Sequence, residues 1–203
     1  MFDGLAPIPS AIRAAVDAAI DGAYDPTRRT LRFLNNNDTG TRFITRHREG
    51  MYRIALALLM TLPGVPCLYL GDELGAEYEP YGPVEPLLSG DNRDLRSYVR
   101  CLARLRRDVL ADSSLHWSWL RTSDNDAVLS YVIEGNTGPV IVLLNLSDTA
   151  RLVAIDDHEA IDTFGDATVL SDRLSGADIA INQGLIPLAA WGARVLAPVQ
   201  VKP

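Results

Sequence analysis

The sequence predicts two architectures in series, an α/β segment over residues 1–112 and an all-β antiparallel sandwich over residues 113–203. Two observations predict it. Up to about Asp112, three stretches with apolar residues at helical spacing alternate with short apolar runs that lack polar alternation, as parallel strands covered on both faces do. Beyond Asp112 the texture changes to short β-branched runs separated by turn signals such as SDND, EGNTG and NQG, the pattern of an antiparallel sandwich.

The elements follow in chain order. Ser10 is placed to cap a helix whose apolar residues Ile12, Ala15, Val16, Ala19 and Ile20 recur on one side, with Gly22 to end it. Leu31–Leu34 is a short strand that runs into Asn35, Asn36, Asn37 and Asp38. A second helix carries a stripe of Met51, Ile54, Ala55, Leu58, Leu59 and Leu62 and stops at Pro63-Gly64. Val65–Leu70 is a second buried strand, ending at Gly71-Asp72-Glu73. Residues 76–92, rich in Pro, Gly and Tyr, read as a long loop. A third helix then presents Leu95, Tyr98, Val99, Leu102, Leu105 and Val109 on one side. The strands beyond are Leu115–Leu120, Val128–Ile133, Val140–Leu146, Leu152–Ile155, Thr168–Leu170, Ile179–Ile181 and Leu185–Leu196.

With 19 basic against 26 acidic residues the net charge is -7, which argues against nucleic-acid and anionic-membrane partners, since both need a basic face. The local concentration Arg93, Arg96, Arg100, Arg104, Arg106 and Arg107 has helical spacing and reads as a solvated face. Cys67 and Cys101 lie in apolar segments as small buried hydrophobes and form no metal pattern. The first ten residues lack the features of a signal peptide and no run reaches membrane-spanning length, so the compartment stays open with a lean to the cytoplasm.

Two parallel strands cannot form an independent covered sheet, so the α/β part reads as a piece of something larger. Both strands end on polar clusters. In a (β/α)8 barrel the active site is built at the carboxyl ends of the strands, and amides and carboxylates converging there suit a ligand dense in hydroxyls. An ionised Asp facing an anomeric carbon stabilises an oxocarbenium-like transition state. Asn and Asp also favour turns and cap helices, and the pattern alone accommodates both readings.

Four segments together carry a resemblance. They are FLNNND over 33–38, PGVPCLYLGDE over 63–73, the helix YVRCLARLRRD leading into VLSYVIE and VIVLLNLS, and the closing IPLAAWGARVLAP. In this order and spacing they resemble the C-terminal portion of the α-amylase family of glycoside hydrolases, over nearly the whole chain. The resemblance implies the incomplete C-terminal part of a (β/α)8 barrel, strands seven and eight with three helices, followed by the family's C-terminal β-domain. It implies that Asp38 is the carboxylate that grips sugar hydroxyls in the cleavage subsite. Asn36 matches an asparagine that shapes the strand end, and Glu73 matches a supporting carboxylate at the end of strand eight.

Two departures qualify it. The family's histidine is Asn37 here, an amide that bonds a hydroxyl without taking up positive charge. The nucleophilic aspartate and acid/base glutamate of the family lie on strands this sequence does not contain, and retaining hydrolysis needs both about 5 Å apart. The 203-residue chain alone is therefore expected not to hydrolyse a glucan, and a partner segment, in the same polypeptide or a separate chain, is expected to complete the cleft. The rival expectation is a non-catalytic carbohydrate-binding protein derived from the family.

Arg42, four residues past Asp38, either steers a substrate hydroxyl or pairs with a carboxylate. His47, His116 and His158 lack a catalytic constellation and read as solvated or capping residues. Trp117, Trp119 and Trp191 either pack in the β-domain or stack on sugar rings. No phosphate loop, zinc spacing or serine elbow is present, and neither cofactor nor metal is expected. The uncovered flanks of the two strands would favour an oligomer over a clean monomer.

Overall fold

The computed structural model describes residues 8–20, 31–77, 94–110, 117–135, 138–156, 164, 169–181 and 184–199. Gly22, most of the 76–92 loop, Arg93, Leu115, His116, His158 and Thr168 lie outside the described residues.

Helix α1 spans Pro9–Ile20 and starts one residue before the expected Ser10 cap. A proline suits the first helical position, where its missing N–H would be unpaired anyway. Strand β1 (Leu31–Phe33) pairs in parallel with β2 (Val65–Cys67), with Leu31 opposite Val65 and Phe33 opposite Cys67. Between them the expected single helix is two, α2 (Phe43–Arg46) and α3 (Glu49–Thr61), and a long helix α4 (Leu95–Asp108) follows.

The expected stripe on α3 understates its burial. Tyr52, Leu56, Ala57 and Met60 are buried along with the predicted residues, so α3 is a core helix covered on nearly every side. The α4 basic run is also not wholly solvated: Arg106 donates to the carbonyls of Leu62 (2.7 Å) and Gly64 (2.5 Å), closing the carboxyl end of α3. Those carbonyls have no intrahelical donor, and a guanidinium supplies one. Cys67 and Cys101 are free thiols, half-buried instead of fully buried.

The second half forms a six-stranded antiparallel sheet from β3 (Trp117–Trp119), β4 (Val128–Gly135), β5 (Gly138–Asn145), β7 (Val169–Asp172), β8 (Asp178–Ala180) and β10 (Ala193–Pro198). Their order is β3-β4-β5-β10-β7-β8. Strands β6 (Arg151–Ala154) and β9 (Leu185–Leu188) pair antiparallel in a separate two-stranded sheet. The run expected from Leu185 to Leu196 is thus two strands broken by a turn at 189–192.

Side-chain alternation assigns the two faces of the large sheet. Leu129, Tyr131, Ile133, Val140, Val142 and Leu144 pack with α3 and α4, while Val128, Ile141, Leu143 and Leu196 pack with Val153, Ile186 and Leu188 of the small sheet. One apolar core therefore runs from the helices straight onto the sheet. Polar contacts join the same halves: the hydroxyls of Thr61 and Tyr131 share a buried hydrogen bond of 2.5 Å, and Trp119 Nε1 donates to Asp17 at 2.7 Å.

The opposite side of β1 and β2 is uncovered. Leu31, Phe33 and Val65 are 56%, 41% and 47% exposed, and Leu68 and Leu70 beyond them are also exposed. Among the described residues no helix is long and apolar enough to cross a membrane.

Candidate functional site

The parallel register of β1 and β2 brings their carboxyl ends side by side, and with them the two polar clusters. Asn35, the second residue past β1, is buried and bridges three segments. Its Oδ1 accepts from the Phe43 N–H at the start of α2 (2.7 Å), and its Nδ2 donates to Asp72 Oδ1 (2.7 Å). The asparagine run thus begins with an internal brace.

The Asp72 carboxylate is the hub on the β2 side. It also accepts from Arg42 Nη1 at 3.2 Å and from the Tyr69 N–H at 2.8 Å, and both Asp72 and Arg42 are 1% exposed. Arg42 Nη2 donates to the Leu70 carbonyl (2.6 Å), and the guanidinium lies 4.7 Å from the Tyr69 ring centre. The Tyr52 hydroxyl donates to the Asp72 backbone carbonyl at 2.8 Å. Burial pushes the Asp72 carboxyl above its ordinary range, against the Tyr69, Asn35 and Arg42 groups that pull it down. Burial likewise raises the Tyr52 phenol.

The backbone at Asp72 requires glycine. A one-turn 3-10 helix, Asp72–Leu74, is bounded by Gly71 at φ 87° and Gly75 at φ 62°, left-handed conformations that a Cβ disfavours. This tight turn aims Asp72 back under β2 and leaves Glu73 half-buried at its rim.

Asp38 stands exposed at the top of the β1 loop. Its N–H donates to Asn36 Oδ1 (2.8 Å) in an Asx turn, and Thr39 Oγ1 accepts from the Asn36 N–H (3.0 Å). Asn37 Nδ2 donates to Asp38 Oδ1 at 3.0 Å, so the amide in the expected histidine position orients the carboxylate. Of the predicted residues, Asn36, Asn37 and Asp38 form one turn, and Glu73 sits on the neighbouring strand end. Arg42 lies beneath them, and of its two readings the structure displays the pairing with a carboxylate.

Asn35, Asp72 and Tyr52 were absent from the predicted set, although Asn35 and Asp72 stand within its clusters. The signal that marks Asp72 is a carboxylate in a segment bounded by two glycines after an apolar run. His47 packs on Phe43 with ring centres 4.3 Å apart. Trp117 and Trp119 meet Tyr131 edge to face, and Trp119 is further held by Asp17 and by Arg13 over its ring. These two tryptophans pack. Among the described residues no three His, Cys, Asp or Glu side chains gather to hold a metal ion.

No family model matches the sequence. The α-amylase MalA of Haloarcula japonica is 27% identical over 184 residues, a span that takes in 81% of this chain and 27% of that protein. In fold, an Anoxybacillus α-amylase superposes with a TM-score of 0.75 at 18% identity, over 98% of this chain and 44% of that one. A debranching enzyme of Nostoc punctiforme, solved after soaking with acarbose, superposes with a TM-score of 0.73 at 16% identity, over 94% of this chain and 38% of that one. The resemblance to the α-amylase family carried by the sequence motifs is borne out by these likenesses. The chain spans about a quarter of the curated relative and less than half of either solved chain.

Proposed function

We propose that this chain is the C-terminal segment of an α-amylase-type glycoside hydrolase acting on α-linked glucosides. In this reading residues 1–112 are the last two strands and three helices of a (β/α)8 barrel, and residues 113–203 are the C-terminal β-sandwich domain. The observation that carries it is the Asn35–Asp72 hydrogen bond, which ties the carboxyl ends of two parallel strands into one polar rim. A barrel places its chemistry on such a rim.

Asp38 is the carboxylate offered to the sugar. Held by the Asn36 turn and by the Asn37 amide, it is presented at a fixed place and forms no ion pair among the described residues. There it stabilises the positive charge of an oxocarbenium-like transition state and accepts from sugar hydroxyls. Asn37 and Asn36 line the same turn, Glu73 supports the neighbouring rim, and Arg42 acts through Asp72. The acarbose-soaked relative is in keeping with a maltooligosaccharide ligand.

The nucleophile and acid/base are supplied by another barrel segment, so the isolated chain is inactive. The uncovered apolar flank of Leu31, Phe33 and Val65 is where that segment packs, and in its absence the flank drives self-association. The test is reconstitution with a barrel segment carrying both missing carboxylates. Turnover of maltooligosaccharides that falls at least about 100-fold in Asp38→Asn is expected. A folded complex without turnover, or turnover indifferent to Asp38→Asn, would overturn the reading.

A further inference from the structure

Trp191 stands apart from the other two tryptophans. It lines a cleft of about 830 Å³ where α2 and the start of α3 meet the loops around 124–127 and 146–148. None of Asn36, Asn37, Asp38 or Glu73 borders this cleft. Its size lies within the roughly 300–1,000 Å³ of small-molecule sites.

The tryptophan is held there at a conformational cost. Its φ is 49°, a left-handed backbone that bulky residues avoid, and such strain persists only where the surroundings over-determine it. The surroundings do so. The Trp191 N–H donates to the Ser147 carbonyl (2.9 Å), and fully buried Asn145 donates from Nδ2 to the carbonyls of both Thr149 and Ala189 (2.8 Å each). One buried amide thus clamps the 145–149 loop to the turn that carries Trp191. On its inner side the indole packs so closely on α3 that a Cβ at Gly50 would lie 2.6 Å from Trp191 Cδ1.

The result is a rigid, half-buried indole beside hydrogen-bonding groups. Exposed Asp126 and Asp148 border the same cleft, and Asp124 is paired with Arg151 at 3.2 Å. Arg48 of the α3 start borders it too, so neither sign of charge dominates. An aromatic face with carboxylate acceptors and guanidinium donors around it matches a neutral pyranose, whose ring C–H face is apolar and whose edge carries hydroxyls.

We propose that this cleft is a second, non-catalytic glycan-binding site, in which a neutral oligosaccharide stacks one ring on Trp191 and bonds its hydroxyls to Asp126 and Asp148. Only the identity of the sugar as an α-glucoside rests on the hydrolase reading. The site would hold a glycan chain to the protein apart from the Asp38 rim.

The test is calorimetric titration of the full chain with maltotriose, paired with hydrogen–deuterium exchange. Saturable binding that protects peptides covering 122–128, 145–151 and 189–193, and that weakens about tenfold in Trp191→Ala, is expected. Because Trp191 also packs on α3, the double variant Asp126→Ala/Asp148→Ala, altering exposed side chains only, must show weakened binding with unchanged stability. Protection confined to 35–43 and 69–77 would overturn this inference and leave the Asp38 reading intact. Absence of saturable binding, or binding unchanged in the double variant, would overturn it as well. Failed reconstitution of hydrolysis leaves these outcomes untouched.

Discussion

Replacing Asp72 by Asn probes the brace beneath the rim. The substitution keeps the size of the side chain but removes its charge and turns one acceptor into a donor, which faces either the Arg42 and Asn35 donors or the Tyr69 N–H. Arg42 is left buried, at 1% exposure, with its charge unopposed by Asp72. Breaking a buried ion pair from one side costs about 3–5 kcal/mol, because the remaining charge stays desolvated. The half-exposed pair Glu49–Arg53 (3.1 Å, i,i+4) is the internal reference, and Glu49→Gln should cost no more than about 0.5 kcal/mol. Urea unfolding at one fixed protein concentration measures both. Arg42→Met with Asp72→Leu removes both charges and should be less destabilised than the sum of its two single variants. An Asp72→Asn cost below about 1 kcal/mol, or a double variant that is simply additive, would refute the brace.

Three further outcomes are expected. Arg106→Ala removes donors to Leu62 and Gly64 at the end of α3 and should cost about 1.5–3 kcal/mol in urea unfolding, with an unchanged midpoint as the contrary result. Gly50→Ala drives a methyl into the Trp191 ring and should cost about 1–3 kcal/mol and shift the tryptophan emission, whereas wild-type stability and emission would mean the helix and indole do not touch. Leu31→Glu with Phe33→Lys should convert a self-associating chain towards the 22.2 kDa monomer in light scattering, and a wild-type chain that is already a monodisperse monomer would contradict the uncovered flank.

Much of the fold is legible in the sequence because its signals are local. Short β-branched runs at 128–133 and 140–146, set off by turn signals, identify two strands whose faces the structure divides between helices and small sheet. Pro63-Gly64 ends α3, and the apolar residues of α4 face inward as its spacing requires. The motif around Asp38 is local too: Asn36, Asn37, Asp38 and Thr39 bond mainly to one another.

What the sequence by itself determined is therefore the order of elements, the polar ends of β1 and β2, and the α-amylase resemblance of the motifs at 33–38 and 63–73. Only the tertiary structure decided which polar residues stand exposed and which face inward. Arg42 and Asp72 are 30 positions apart, and Asn35 and Asp72 are 37 apart, so no spacing rule brings them together. The same holds for the three tryptophans. Identical chemistry packs at Trp117 and Trp119 and lines an open cleft at Trp191, because Tyr131 and Asp17 meet the first pair while Gly50, Ser147 and Asn145 fix the third at its edge. Burial is a property of what packs against a side chain, and that is settled by contacts between segments distant in sequence.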